Sequence, residues 1–312
     1  MIRVANAPCS WGILEFAPAD SSAPAPEREG RRHEAPQFHV VLDEMRDAGY
    51  AGTELGDWGF MPTEPAALRR ELARRRLEMV GAFVPVALAA AEAHEPGART
   101  AVRVARLMRD AGAANALIVL SDDNAQVPAR ERHAGRIRPE HALDAAAWAT
   151  FARGAEHIAR AVRQETGLRA VFHPHCGGYV ETPTEIDQLM TRTDPTLIGL
   201  VLDTGHILYG GGDPREVLDH YGSRVWHIHF KDCDPAVAAR ARQEELGYLD
   251  AVQAQLFCQL GDGAVDFAAI TASLHARQYD GWIVVEQDVF PGYGTPAESA
   301  RRSRQYLQRL GV

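Results

Sequence analysis

The residues of this chain that could do chemistry gather where apolar runs end. Ala170-Val171-Phe172 is followed by His173-Pro174-His175, and Val201-Leu202 by Asp203-Thr204-Gly205-His206. Trp226-His227-Ile228-His229-Phe230 leads into Lys231-Asp232, and Val284-Val285 into Glu286-Gln287-Asp288. Alternate side chains of a strand share a face, so His173 pairs with His175 and His227 with His229. One imidazole, one Asp, one further imidazole and one Glu, from four successive strands, can meet at a point. Nitrogen with carboxylate oxygen suits Mn²⁺, Co²⁺, Fe²⁺ or Zn²⁺ and offers too few oxygens for a calcium cage. A single Asp before Thr-Gly-His could equally cap the next helix. Four such endings in succession point instead to a metal centre.

The elements that must position these residues are short apolar runs at 2–5, 50–54, 79–86, 116–120, 168–173, 198–203, 225–230 and 282–286. Between most of them lie helical patterns. Trp148, Phe151, Ala155, Ile158 and Val162 are spaced three and four apart, and Leu68 with Leu72 marks a shorter helix ending near Leu77. Thr182-Pro183-Thr184-Glu185 and Thr295-Pro296-Ala297-Glu298 read as helix starts, each with a capping Thr, a Pro in the first turn and a Glu reaching back. Strands alternating with helices require parallel pairing through crossovers. A doubly wound open sheet would show a glycine-rich phosphate turn after the first strand. Here that turn reads Pro8-Cys9-Ser10-Trp11-Gly12, so eight strands and this length predict a single (β/α)₈ TIM barrel over 1–312. Segments 17–36, 121–139 (after the fourth strand) and 232–263 (after the seventh, with a short helix near 236–245) are predicted as extended loops on the C-terminal face, where barrels build active sites.

Composition narrows the class. Of 312 residues 46% are hydrophobic and 24% charged, ordinary for a globular chain, which excludes wholesale disorder. A formal charge of −9 argues against nucleic acid as a partner. Cys9, Cys176, Cys233 and Cys258 form no CxxC pair and are expected as free thiols in a reducing cytoplasm. No apolar run reaches the roughly 20 residues of a membrane span, and no signal peptide is visible, so cytoplasm is the default location. Assembly into a homo-oligomer is left open.

At these motifs the chain resembles the xylose-isomerase-like barrel superfamily of sugar isomerases and epimerases, and within it the inosose dehydratases. The resemblance runs over nearly the whole chain. It rests on Ser10-Trp11-Gly12, on Gly49-Tyr50-Ala51-Gly52-Thr53-Glu54-Leu55-Gly56, on His173-Pro174-His175, and on Leu202-Asp203-Thr204-Gly205-His206. It continues through His227-Ile228-His229-Phe230-Lys231-Asp232 and Val285-Glu286. It implies one divalent metal, Mn²⁺ or Co²⁺ before Fe²⁺ or Zn²⁺, with ligands Asp203, His229 and Glu286. The superfamily's fourth ligand is a Glu ending strand five. Here histidine stands there, His173 aligning best because Pro174 follows, with His175 the rival.

That departure bears on the reaction, since epimerases commonly use the strand-five Glu as one of two acid/base carboxylates. What the resemblance implies is therefore a metal-dependent lyase that dehydrates a cyclic polyol ketone such as 2-keto-myo-inositol, with a ketose epimerase or isomerase as the alternative. A non-catalytic sugar-binding barrel would not need Asp203, His229 and Glu286. Proton transfer falls to His206, Glu54, Lys231 or His175, and Trp11 and Phe83 are candidate apolar walls for the substrate beside His175, His206 and Lys231. Gly210-Gly211-Gly212 has no basic cluster beside it and reads as the approach to a helix opened by Asp213-Pro214.

Overall fold

Eight apolar runs close into a ring of parallel strands in the computed structural model, which describes residues 1–13, 36–290 and 294–312. They are β1 (Arg3–Asn6), β2 (Gly52–Glu54), β3 (Glu78–Pro85), β4 (Leu117–Ser121), β5 (Arg169–Phe172), β6 (Ile198–Asp203), β7 (Val225–Phe230) and β8 (Trp282–Val285). Each pairs with its sequence neighbours, and β8 pairs with β1 to close the single TIM barrel. Every residue of β4 and β6 is buried. A parallel sheet covered by helices hides both faces, which is why these strands read as unbroken apolar runs. His173 and Glu286 lie one residue past β5 and β8, yet the ladder reaches them. The His173 N–H donates to Leu120 O at 2.8 Å and the Glu286 N–H to Phe230 O at 3.0 Å.

The helices follow their apolar stripes. Ala145–Thr166 buries Trp148, Phe151, Ala155, Ile158 and Val162, opening at an Asp144 cap and ending at Gly167. Pro65–Arg75 buries Leu68 and Leu72 and stops short of Leu77. Thr182 and Glu185 form the expected capping box ahead of Pro183–Arg192. Pro296–Arg309 starts where expected, but Thr295 makes no capping bond to the backbone; its hydroxyl donates to Glu298 Oε2 at 3.1 Å instead. Asp213 caps Pro214–Tyr221 by accepting the Arg215 N–H at 2.8 Å, so Gly210–Gly212 leads into a helix start.

The expected loop at 17–36 lies outside the described residues apart from Pro36. Segment 121–139 contains the short helix Pro128–Arg132. From it the fully buried Arg130 forks onto Glu185 at 2.7 and 2.9 Å and donates to Gly178 O at 2.7 Å. Segment 232–263 holds the expected helix as Pro235–Gln243. It adds a second helix, Tyr248–Gln253, and an antiparallel pair of Asp232–Cys233 with Phe257–Cys258. Asp232 ties this excursion down by accepting the N–H groups of Cys233, Gly261, Gly263 and Val265. Among the described residues no helix is long and apolar enough to cross a membrane.

Candidate metal centre

His173, Asp203, His229 and Glu286 meet at the C-terminal mouth of the barrel, one ligand atom from each lying within 4.8 Å of the others. Strand register places Asp203 directly beside His229. Asp203 Oδ2 lies 3.3 Å from His173 Nε2 and 3.6 Å from His229 Nδ1, and Glu286 Oε2 lies 3.3 Å from the same Nδ1. Asp203 divides its work: Oδ1 accepts the His206 N–H at 2.8 Å and caps the helix Thr204–Tyr209, while Oδ2 turns to the imidazoles. The capping reading of this Asp therefore holds, and its second oxygen remains on the side of the imidazoles.

Asp203 Oδ2 and His229 Nδ1 are buried and make no hydrogen bond. Orphaned buried polar atoms are costly unless an ion completes them. The charge balance agrees. Burial pushes the Glu286 carboxyl up, but His229 and then Lys231 outweigh it and hold the group well below the carboxylate range. Asp203 is likewise held low against burial by Lys231, His206, His173 and His229. His229 is driven well above an ordinary imidazole, against burial, by Glu286 and Glu54. A site that concentrates negative charge around two imidazole nitrogens can coordinate a divalent cation.

Glu54 reaches across the barrel from β2 to β7. Its Oε1 lies 2.7 Å from His227 Nε2 and 3.0 Å from His229 Nε2. Burial opposes its ionisation, yet His229 and His227 bring its carboxyl down to about 2. With the acceptor on Nε2, Nδ1 is the nitrogen left to face Asp203 and Glu286, the arrangement that orients a metal-binding histidine. Gly81 provides the space, since a Cβ there would stand 3.2 Å from Glu54 Oε1.

An open cavity, about 450 Å³ of empty space that includes open solvent, adjoins this cluster. Glu54, Phe83, His173, His175, Lys231, Glu286 and Asp288 line it, with Ala7, Pro8, Cys9 and Gly56. Lys231 is fully buried, its Nζ 3.0 Å from each oxygen of Asp288, 3.1 Å from Glu286 Oε2 and 3.1 Å from His206 Nε2. Of the expected substrate contacts, Phe83, His175 and Lys231 reach the cavity. Trp11 does not: the turn Pro8–Trp11 sends it into the core, where its indole N–H donates to Glu44 at 2.6 Å, and Cys9 takes the cavity side. His206 stands behind His175, ring centroids 3.8 Å apart, rather than on the wall. Asp288 and Tyr248, whose hydroxyl donates to Asp288 Oδ2 at 3.0 Å, were absent from the sequence-based set.

The family model described as xylose isomerase-like TIM barrel matches residues 42–310. An inosose dehydratase of Geobacillus kaustophilus is 34% identical over 270 residues, covering 86% of both chains. That of Lacticaseibacillus casei is 33% identical over 270 residues, covering 86% of this chain and 88% of its own. Among solved structures, a xylose isomerase-like TIM barrel/4-hydroxyphenylpyruvate dioxygenase fusion protein superposes with a TM-score of 0.70 at 16% identity. That likeness covers 99% of this chain and 42% of the fusion and concerns the fold alone. The chain belongs to the xylose isomerase-like TIM barrels of the sugar isomerase/epimerase superfamily and is closely related to the inosose dehydratases.

Proposed function

We propose that this metal-dependent enzyme is a hydro-lyase that removes water from 2-keto-myo-inositol or a close cyclic polyol ketone. The observation that carries the reading is the state of His175 at the cavity wall. Its Nδ1 lies 2.7 Å from the carbonyl oxygen of Cys176, which can only accept, so the proton sits on Nδ1 and Nε2 is the basic nitrogen. Burial first, then His173 and Lys231, keep the ring well below an ordinary imidazole and hence neutral. The identity to inosose dehydratases supports the same substrate class.

His173, Asp203, His229 and Glu286 would hold the metal, Mn²⁺ or Co²⁺ before Fe²⁺ or Zn²⁺. A divalent cation there supplies Lewis acidity for the negative charge that develops when a proton is lost α to a ketone. His175 takes that proton on Nε2 and returns it to the β-hydroxyl as the carbon–oxygen bond breaks, so one imidazole serves both transfers and water leaves. Lys231 holds a substrate oxygen by charge, and Asp288 fixes the ammonium with both its oxygens. Glu54 orients His229 rather than touching the reacting carbon, and His206 braces His175 and Lys231 from behind. An epimerase would need a second base across the substrate plane.

The test is a panel of keto-inositols and ketohexoses incubated with the Mn²⁺- or Co²⁺-restored protein. Ultraviolet absorbance of an enolised dione should rise with the keto-inositol. A protein that interconverts ketohexoses and leaves keto-inositols untouched would overturn the reading.

A further inference from the structure

A second cluster of metal-ligating type adjoins the first. One ligand atom each from His175, His206 and Asp288 lies within 4.8 Å of the others, and all three side chains are buried. The Lys231 Nζ sits among them, bonded to both Asp288 oxygens and His206 Nε2 and to Glu286 Oε2 of the first cluster. These separations of 3.0–3.1 Å are those of an ammonium sharing its three protons. The side chain is held there. A Cβ at Gly205 would stand 2.7 Å from Lys231 Cγ, so only glycine lets the stem pass, and the Phe257 ring lies 4.9 Å from Nζ.

From this placement we infer that the Lys231 ammonium occupies a latent second divalent-cation site, built from Asp288, His175 and His206 and bordered by Glu286, and so keeps the centre mononuclear. Without the ammonium, Asp288 and Glu286 lose their shared counter-charge inside a pocket that also holds Asp203 and Glu54. Buried carboxylates left so close together recruit a cation or take up protons. Two imidazoles with a carboxylate able to give both oxygens suit the same borderline metals as the first cluster. His206 joins as its 3.2 Å contact with the Cys176 N–H yields. The tethered charge has an advantage over a second ion: it is present at any metal concentration and cannot dissociate.

The inference shares Glu286 with the proposed metal centre and rests on that reading. The test counts Mn²⁺ by elemental analysis after equilibrium dialysis of the full chain, with electron paramagnetic resonance to report coupling between neighbouring ions. Wild type should hold one Mn²⁺ per chain. Lys231→Ala should hold two, with an exchange-broadened spectrum, and Lys231→Ala/Asp288→Asn should return to one. Lys231→Gln, which keeps most of the stem and offers an amide oxygen, should also rise to two, and serves if the alanine variant does not fold. One Mn²⁺ in the wild type and in both single variants would overturn the inference and leave the first centre standing. Two coupled ions in the wild type would also overturn it, and none in any form would overturn both.

Discussion

Replacing Glu54 by Gln separates two roles that one carboxylate could play. Its Oε1 serves His227 at 2.7 Å and His229 at 3.0 Å, while the other His229 nitrogen faces Asp203 and Glu286. Gln preserves the shape and removes the charge, so both bonds lose their charge assistance. If the amide turns its NH₂ toward His229 Nε2, the imidazole proton is driven to Nδ1, where the cation should bind. Losses at such outer partners are typically about 10–100-fold in metal affinity, or about 1.4–2.7 kcal/mol. The assay is competition for Mn²⁺ against a chelator of known affinity, with circular dichroism to confirm folding. His227→Gln, which removes only the outermost partner, should cost less than Glu54→Gln. Affinity unchanged within about twofold, together with lost turnover at saturating Mn²⁺, would refute the orienting role and make Glu54 a group that acts on substrate.

Asp203→Asn and Glu286→Gln should fold normally, since Asn can still cap Thr204–Tyr209 through Oδ1, yet bind metal poorly and turn over little; full activity at wild-type metal affinity would remove them from the centre. His175→Ala should lower kcat about 10²–10⁴-fold with metal still bound, and His206→Ala should cost about tenfold; the reverse order would put His206 at the reacting atoms. Glu181 links the loops after β4 and β5 by accepting the N–H groups of Gly135 at 2.6 Å and Gly177 at 3.0 Å, and burial pushes its carboxyl up to about 7. Between about pH 4.5 and 7 the folded chain therefore keeps a proton that the unfolded chain has released, so this group's contribution falls as pH rises, by of order 3 kcal/mol in full. Denaturant midpoints should accordingly depend less steeply on pH in Glu181→Gln than in the wild type, and coincident slopes over that window would refute the assignment.

The barrel was legible in eight apolar runs alternating with helices, and the candidate site in how those runs end. Apolar runs that turn ionisable at 173, 203 and 286 could be read without knowing their neighbours, and the fold brings those endings together with His229. Asp288 was readable by the same rule, since it shares strand period two with Glu286. Tyr248 carries no such sign: its place over Asp288 depends on how the excursion between β7 and β8 folds back. Which residues of Pro8–Trp11 face the cavity was equally hidden, because a single turn sends Pro8 and Cys9 to the cavity and Trp11 into the core. Arg130 and Glu185 lie 55 residues apart and meet only through tertiary packing.

The most direct measurement follows the Mn²⁺-loaded protein with 2-keto-myo-inositol in deuterated water by nuclear magnetic resonance. Loss of water to an enolised dione, with no stereoinverted ketone accumulating, is the predicted result. Rapid appearance of the epimer without loss of water would contradict the lyase assignment and put an epimerase in its place.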